Sequence, residues 1–288
     1  MARKSKTDMG DYRREGAYDV ARYDSIGALV ACATDRGRVA ECNMEIYARI
    51  ATRCSDFTNG YSLDRAVSEL SDPPRCAARV RELAEGLALH DAPMGRRLAR
   101  RREDGDEMDA GAWVRRETDG WSRMERTRRV PRVLRIAVNV SSHCEMTPDM
   151  LFWRGAAACA LADALESRGG DRAEVVAYTA GTGRFVRNGG ATEIAEVMVK
   201  RAESPMDADG MALVLGELGF YRTAFFAALI AGAGAREVHR NLGSSQTMPP
   251  EFRAGYDIVI DNDITSETAA RALIARYAQG FDAAGCAD

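Results

Sequence analysis

Lysine is almost missing from this chain. Of 40 basic residues only Lys4, Lys6 and Lys200 are lysine. That bias, beside so much Ala and Gly, follows the composition of a GC-rich genome, although arginine is also the better phosphate ligand. Histidine is scarcer still: His90, His143 and His239 leave imidazole-based metal chemistry little to work with. Seven cysteines (32, 42, 54, 76, 144, 159, 286) include no Cys-x-x-Cys pair. An odd, scattered set argues against a disulfide framework and against structural zinc. No run of about 18 apolar residues exists, which excludes a continuous spanning helix. The most apolar stretch, 219–235, is interrupted by Arg222. Basic residues at the start are followed by no apolar segment, so no signal peptide is read there. The expectation is a cytoplasmic protein without membrane association.

What is present is ordinary globular composition: 288 residues, 46% hydrophobic and 29% charged. The net charge of −3 hides an asymmetry, +3 up to Arg132 and −6 from Val133 onward. The chain changes character near Pro131, which predicts a helical, charge-rich region over 1–130 and an α/β domain over 131–288. In the first region apolar residues are sparse and helically spaced, as in Ile26, Leu29, Val30 and Ala33. Residues 61–70 read as a helix with Leu63, Val67 and Leu70 inward and Ser62 as cap. Asp72-Pro-Pro74 starts another helix, 75–89. No strand is predicted before Arg132.

The segment 94–129 is charge-dense. Arg96, Arg97, Arg100, Arg101 and Arg102 are followed by Glu103, Asp104, Asp106, Glu107 and Asp109. Adjacent blocks of opposite sign solvate or pair with one another; a nucleic-acid patch is the sharper reading. Trp113 and Trp121 make the segment more than a linker.

After Pro131 strand and helix alternate. Val133–Val140 reads as a buried central strand. Thr147-Pro148 opens a long helix to about Arg168, whose run Ala156–Ala160 is expected to lie against the sheet. Strands follow at 173–179, 194–200 and 256–261, with helices at 207–218, 220–233 and 266–279. This pattern implies a doubly wound, mostly parallel sheet with helices on both faces. Binding crevices in such sheets lie beyond the carboxyl ends of the strands. Asn139, Ser141, Ser142 and His143 end one strand, and Asp261 and Asp263 end a later one, so the two clusters should converge on one rim.

An Asn-x-Ser turn after the first strand and an acidic turn after a later one resemble the von Willebrand factor A domain. In that family a metal-ion-dependent adhesion site opens with Asp-x-Ser-x-Ser. The strings RIAVNVSS, FWRGAAACALADALESRG and MVKRAESPMDADGMALVL also resemble a group of mostly phage- or plasmid-borne proteins with a helical N-terminal region, over most of 60–280. That group implies no activity, and a phage origin would imply the host cytoplasm. The metal motif is degenerate here. Asn139 replaces the first Asp, His143 replaces the second Ser, and Ser141 alone matches. A hard cation wants anionic oxygens, so Ser141 and Asp261, helped by Asp263 or by Asp207 and Asp209, imply at most weak magnesium binding. Without a metal, the same residues simply satisfy backbone groups at a strand end.

Other constellations are missing. There is no Walker-type phosphate loop and no Gly-x-Ser-x-Gly elbow. Cys144 beside His143 lacks a partner, and Asp261 with Asp263 is a weak pairing. No catalytic residue or required cofactor is assigned. Three readings remain. The first is a non-enzymatic module whose rim binds a protein partner such as an ATPase or replication factor. The second is a nucleic-acid accessory protein using 96–132. The third is a divalent-metal phosphoester enzyme at the rim.

Overall fold

The computed structural model describes residues 11–16, 18–41, 44–52, 56–71, 96–102, 107–108, 110–115, 121–126, 132–143, 145–169, 171–181, 192–233 and 245–284. The expected helix 75–89, His90, Cys144 and His239 lie outside them.

The β-branched run after Pro131 forms β6, Val133–Asn139, in which every residue from Ile136 onward is buried. It is flanked in parallel by β7, Arg172–Gly181, and β9, Ile258–Ile260. Ile136 and Val138 face one core while Ala137 faces another, as strand alternation requires. β9 is the end strand of the sheet among the described residues, yet Ile258 and Ile260 are buried.

β8, Thr192–Lys200, runs antiparallel to β7. The expected α/β class with a mostly parallel sheet holds, but β8 is reversed within it. The connection between Gly181 and Thr192 is shorter than the dozen or so residues a parallel crossover needs, so the chain turns straight back. The sheet is mixed, in the order β1-β2-β8-β7-β6-β9.

Its first two strands overturn a second expectation. β1, Asp11–Glu15, and β2, Tyr18–Tyr23, form a hairpin turned at Gly16, whose φ of 62° suits glycine. β2 pairs in parallel with β8, Val20 level with Ile194. The 130/131 boundary therefore does not separate two cores: Ala21, Leu29, Cys32 and Leu63 share one with Val138 and Phe225. Charge obscured the hairpin, because edge strands carry charged residues by need.

Around that core pack α1 (Ile26–Thr34), α2 (Arg36–Glu41), α3 (Met44–Ala51) and α4 (Leu63–Ser71). Ser25 caps α1 through Ala28 N–H, and Ser62 accepts from Arg65 N–H at the start of α4. Next come β3 (Arg96–Arg102), β4 (Glu107–Met108), the short α5 (Ala110–Val114) and β5 (Trp121–Arg126). These three strands form a separate sheet in the order β3-β5-β4. The arginine block is thus a strand, and β5 lies between it and Glu107 (residues 103–106 and 109 lie outside the described set).

The second half adds α6 (Pro148–Gly169), α7 (Ala208–Gly216), α8 (Leu218–Phe220), a π-helical turn (Tyr221–Phe225), α9 (Phe226–Ala233), α10 (Pro250–Arg253) and α11 (Glu267–Ala284). Residues of α1, α4, α6, α7, α9 and α11 join the larger core on one sheet face. Among the described residues the opposite face carries Met248, Phe252 and Tyr256 from one short segment, rather than a full helical layer. No single helix among them is long and apolar enough to cross a membrane.

The small residues of α6 serve two contacts. Ala156–Ala160 is wholly buried, in a helix that packs against β6, β7 and α7. Helix meets helix closely as well: a Cβ on Gly155 would lie 2.9 Å from the backbone of Gly216 in α7. Gly155→Ala should therefore destabilise by roughly 1–3 kcal/mol through overpacking, despite alanine's better helix propensity. Urea unfolding measures this, and unchanged stability would show that the helices do not meet there.

Candidate functional site

Because β6 and β9 run parallel with Val138 level with Ile260, their ends arrive together at one edge. Asn139 and Asp261 follow, and both are buried. Asn139 Nδ2 donates to Asp261 Oδ1 (2.8 Å) and to the Gln246 carbonyl (3.0 Å). Its Oδ1 accepts the Ser141 N–H (2.9 Å) and the Ser141 hydroxyl. All four bonds open to an amide are made, and they fix which atom is oxygen. Asp261 Oδ1 also accepts Asn262 N–H, and Oδ2 accepts Arg253 Nη2 at 3.3 Å. Ser245 Oγ lies 2.8 Å from Ser141 Oγ and donates to Asn262 Oδ1. The cluster therefore joins three segments: the end of β6, the end of β9 and the stretch around 245–246.

Beneath it lies Arg154 of α6, 0% exposed. Nη1 donates to the carbonyls of Asn139 (3.0 Å) and Ser141 (3.1 Å), and Nε donates to that of Ile264 (3.2 Å). Burial pulls its pKa down, while the charge of Asp261, foremost among its neighbours, opposes the shift. Tyr178, fully buried on β7, finds no partner at hydrogen-bonding geometry for its hydroxyl among the described residues. Burial and the Asp261 charge hold its pKa well above the ordinary phenol value.

Ser142 departs from the expected cluster. Its Oγ accepts from Arg222 Nε at 3.3 Å. Arg222 belongs to the π-helical turn, a feature often found at functional sites. It also donates to the carbonyls of Phe57 (2.9 Å) and His143 (2.8 Å), tying the 56–60 turn to the rim. The His143 side chain is exposed, and its Nδ1 accepts Glu145 N–H at 3.2 Å.

The other expected acids do not join. Lys200, at the end of antiparallel β8, is level with Val175 near the start of β7. The chain therefore leaves for Asp207 and Asp209 from the opposite edge. Asp207 caps α7, accepting Gly210 N–H at 3.0 Å. Asp263 is exposed. Asp261 is left as the one buried carboxylate of the cluster, its Oδ1 already taken by two N–H donors and a guanidinium close by. A magnesium ion needs several oxygen ligands in near-octahedral array. The donor set as arranged does not fit it.

Sequence reasoning missed Arg154, Arg222, Ser245, Gln246 and Asn262. The first two carried a signal: each is a lone cation inside an apolar helical run, where an unpaired charge is untenable. The other three lie in loops without periodicity.

A family model described as a domain of unknown function, DUF7192, matches residues 55–283. No curated protein matches the chain, and no solved structure does.

Arg154→Leu should lower stability by roughly 2–5 kcal/mol, since it strands buried carbonyls and leaves Asp261 with less compensation. Chemical denaturation tests this. A loss under about 1 kcal/mol would mean that water replaces the guanidinium.

Proposed function

The chain belongs to the DUF7192 family, and we propose that it is a non-enzymatic module that binds a protein partner through the strand-end rim, as a phage or mobile-element accessory protein. One observation carries this reading. The buried polar side chains of the rim bond inward to one another, so they build a rigid shape instead of offering free acid, base or nucleophile. What the same loops turn outward is His143, Glu145, Gln246, Thr247 and Asp263. Beside them the Phe57 ring, 36% exposed, stacks on Phe226 at 6.0 Å, and the Arg222 guanidinium lies 4.9 Å from its centroid. A pre-ordered aromatic beside polar groups is the composition of an interface anchor. The parallel β6, β7 and β9, with a polar turn after β6 and an acid after β9, support the narrower likeness to a von Willebrand A domain.

Photo-crosslinkers placed singly at His143, Gln246 and Asp263 test the proposal in cells carrying the gene, against the same group at Glu267 and Arg271 on α11. One common adduct from the rim positions alone is expected. Equal adducts from both faces would overturn the proposal. Phosphoester turnover lost in Asp261→Asn would put an enzyme in its place.

The second sheet favours a nucleic-acid reading on a separate observation. Arg96 is level with Arg126 across β3 and β5, and Arg100 is level with Ser122. Strand alternation places these positions on one face, which also takes Glu107, level with Ser122 on the other side of β5. Like charges directly opposite destabilise a sheet unless an anion sits between them. If this face binds DNA, affinity should fall steeply with salt, and reversing Arg96, Arg100 and Arg126 to glutamate should flatten the slope by about three phosphates' worth. Fluorescence anisotropy across a salt series reads it out, and an unchanged slope would remove this reading.

A further inference from the structure

We infer that the rim is locked without a metal ion, with the Asn139 amide and the Arg154 guanidinium supplying the positive ends that a divalent cation would supply to an Asp-x-Ser turn. The inference is independent of whether the rim carries a partner. The geometry at Asn139 is directional. Its nitrogen faces two acceptors, Asp261 Oδ1 at 2.8 Å and the Gln246 carbonyl at 3.0 Å. Its oxygen faces two donors, both from Ser141. A carboxylate of the same shape would serve Ser141 equally well. Toward Asp261 and Gln246 it would present oxygen to oxygen, a repulsion that a cation or a shared proton would have to relieve. The amide removes the need.

Arg154 completes the arrangement from below. It holds the carbonyls of Asn139 and Ser141 on the β6 side and of Ile264 and Asn262 on the β9 side. A dipositive ion among these carbonyls would meet the positive charge of a guanidinium already bonded to each of them. The rim's two loops thus have one closed arrangement, set by the chain itself.

The test uses the purified full chain, with melting temperature and calorimetric titration followed in chelator, magnesium and manganese. The wild type should melt at the same temperature in chelator and in millimolar magnesium, with no heat of binding. Asn139→Asp should melt roughly 5–10 °C lower in chelator. Exchanging the pair, Asn139→Asp with Asp261→Asn, re-creates an amide facing a carboxylate. It should recover part of that loss, since the Gln246 carbonyl still faces oxygen and the Asn262 N–H meets the new amide, and such a coupling is one that neither single change can show. Should Asn139→Asp give no folded protein, a folded exchange variant carries the same information. Three results would overturn the inference: magnesium-dependent stabilisation of the wild type that Ser141→Ala abolishes, wild-type melting of Asn139→Asp in chelator, or an exchange variant no more stable than Asp261→Asn alone.

Discussion

A guanidinium that no water reaches must find its acceptors in the protein. Arg154 finds them in the backbone: the carbonyls of Asn139 and Ser141 on one loop, and of Asn262 and Ile264 on another. Unmade, such bonds would be far more costly than the modest net gain each brings when made. The loops after β6 and β9 are therefore not free to choose their course. Asn139 can reach Asp261, and Ser141 can reach Ser245, because Arg154 has already set the carbonyls beneath them.

The depth of Arg154 depends in turn on its neighbour. Gly155 lets α6 approach α7 until backbone meets backbone at Gly216, and the alanines that follow keep the helix close to sheet and helices alike. A bulkier residue would lift α6 and draw the guanidinium away from the strand ends. The alanine and glycine content, which reads at first as a genomic bias, is thus a condition for the polar cluster. Arg222 repeats the device on the far side, where the π-helical turn directs it to the carbonyls of Phe57, His143 and Met146.

The elements that strong apolar patterning specifies were legible in the sequence. Val133–Val140, the long helix after Pro148, the strand at Ile258 and the cap at Ser62 lie where spacing places them. So do Asn139, Ser141 and Asp261, because parallel strands deliver their ends to one edge. Three things were not legible. β1 and β2 are short and charged, and the strand that joins them to the rest of the sheet, β8, lies some 170 residues on. The direction of β8 depended on counting the residues between Gly181 and Thr192, and once β8 is reversed Asp207 and Asp209 move to the other edge. The arginine block reads as a solvated run in composition but pairs as a strand with residues 121–126, which propensity alone does not foretell.

The pairing of β2 with β8 also sets an order of events during synthesis. Residues 18–23 leave the ribosome some 170 residues ahead of their parallel partner, 192–197. Through that interval the hairpin has no sheet to join, since parallel pairing is non-local and a lone hairpin is marginal in water. Its charged strand, Asp11-Tyr-Arg-Arg-Glu15, makes the wait tolerable by discouraging other nascent chains from adding to its edge. A fragment restricted to 55–283 would reverse the hazard: β8 would form with Ile194, Ala195 and Val197 lining an uncovered edge, a template for self-association.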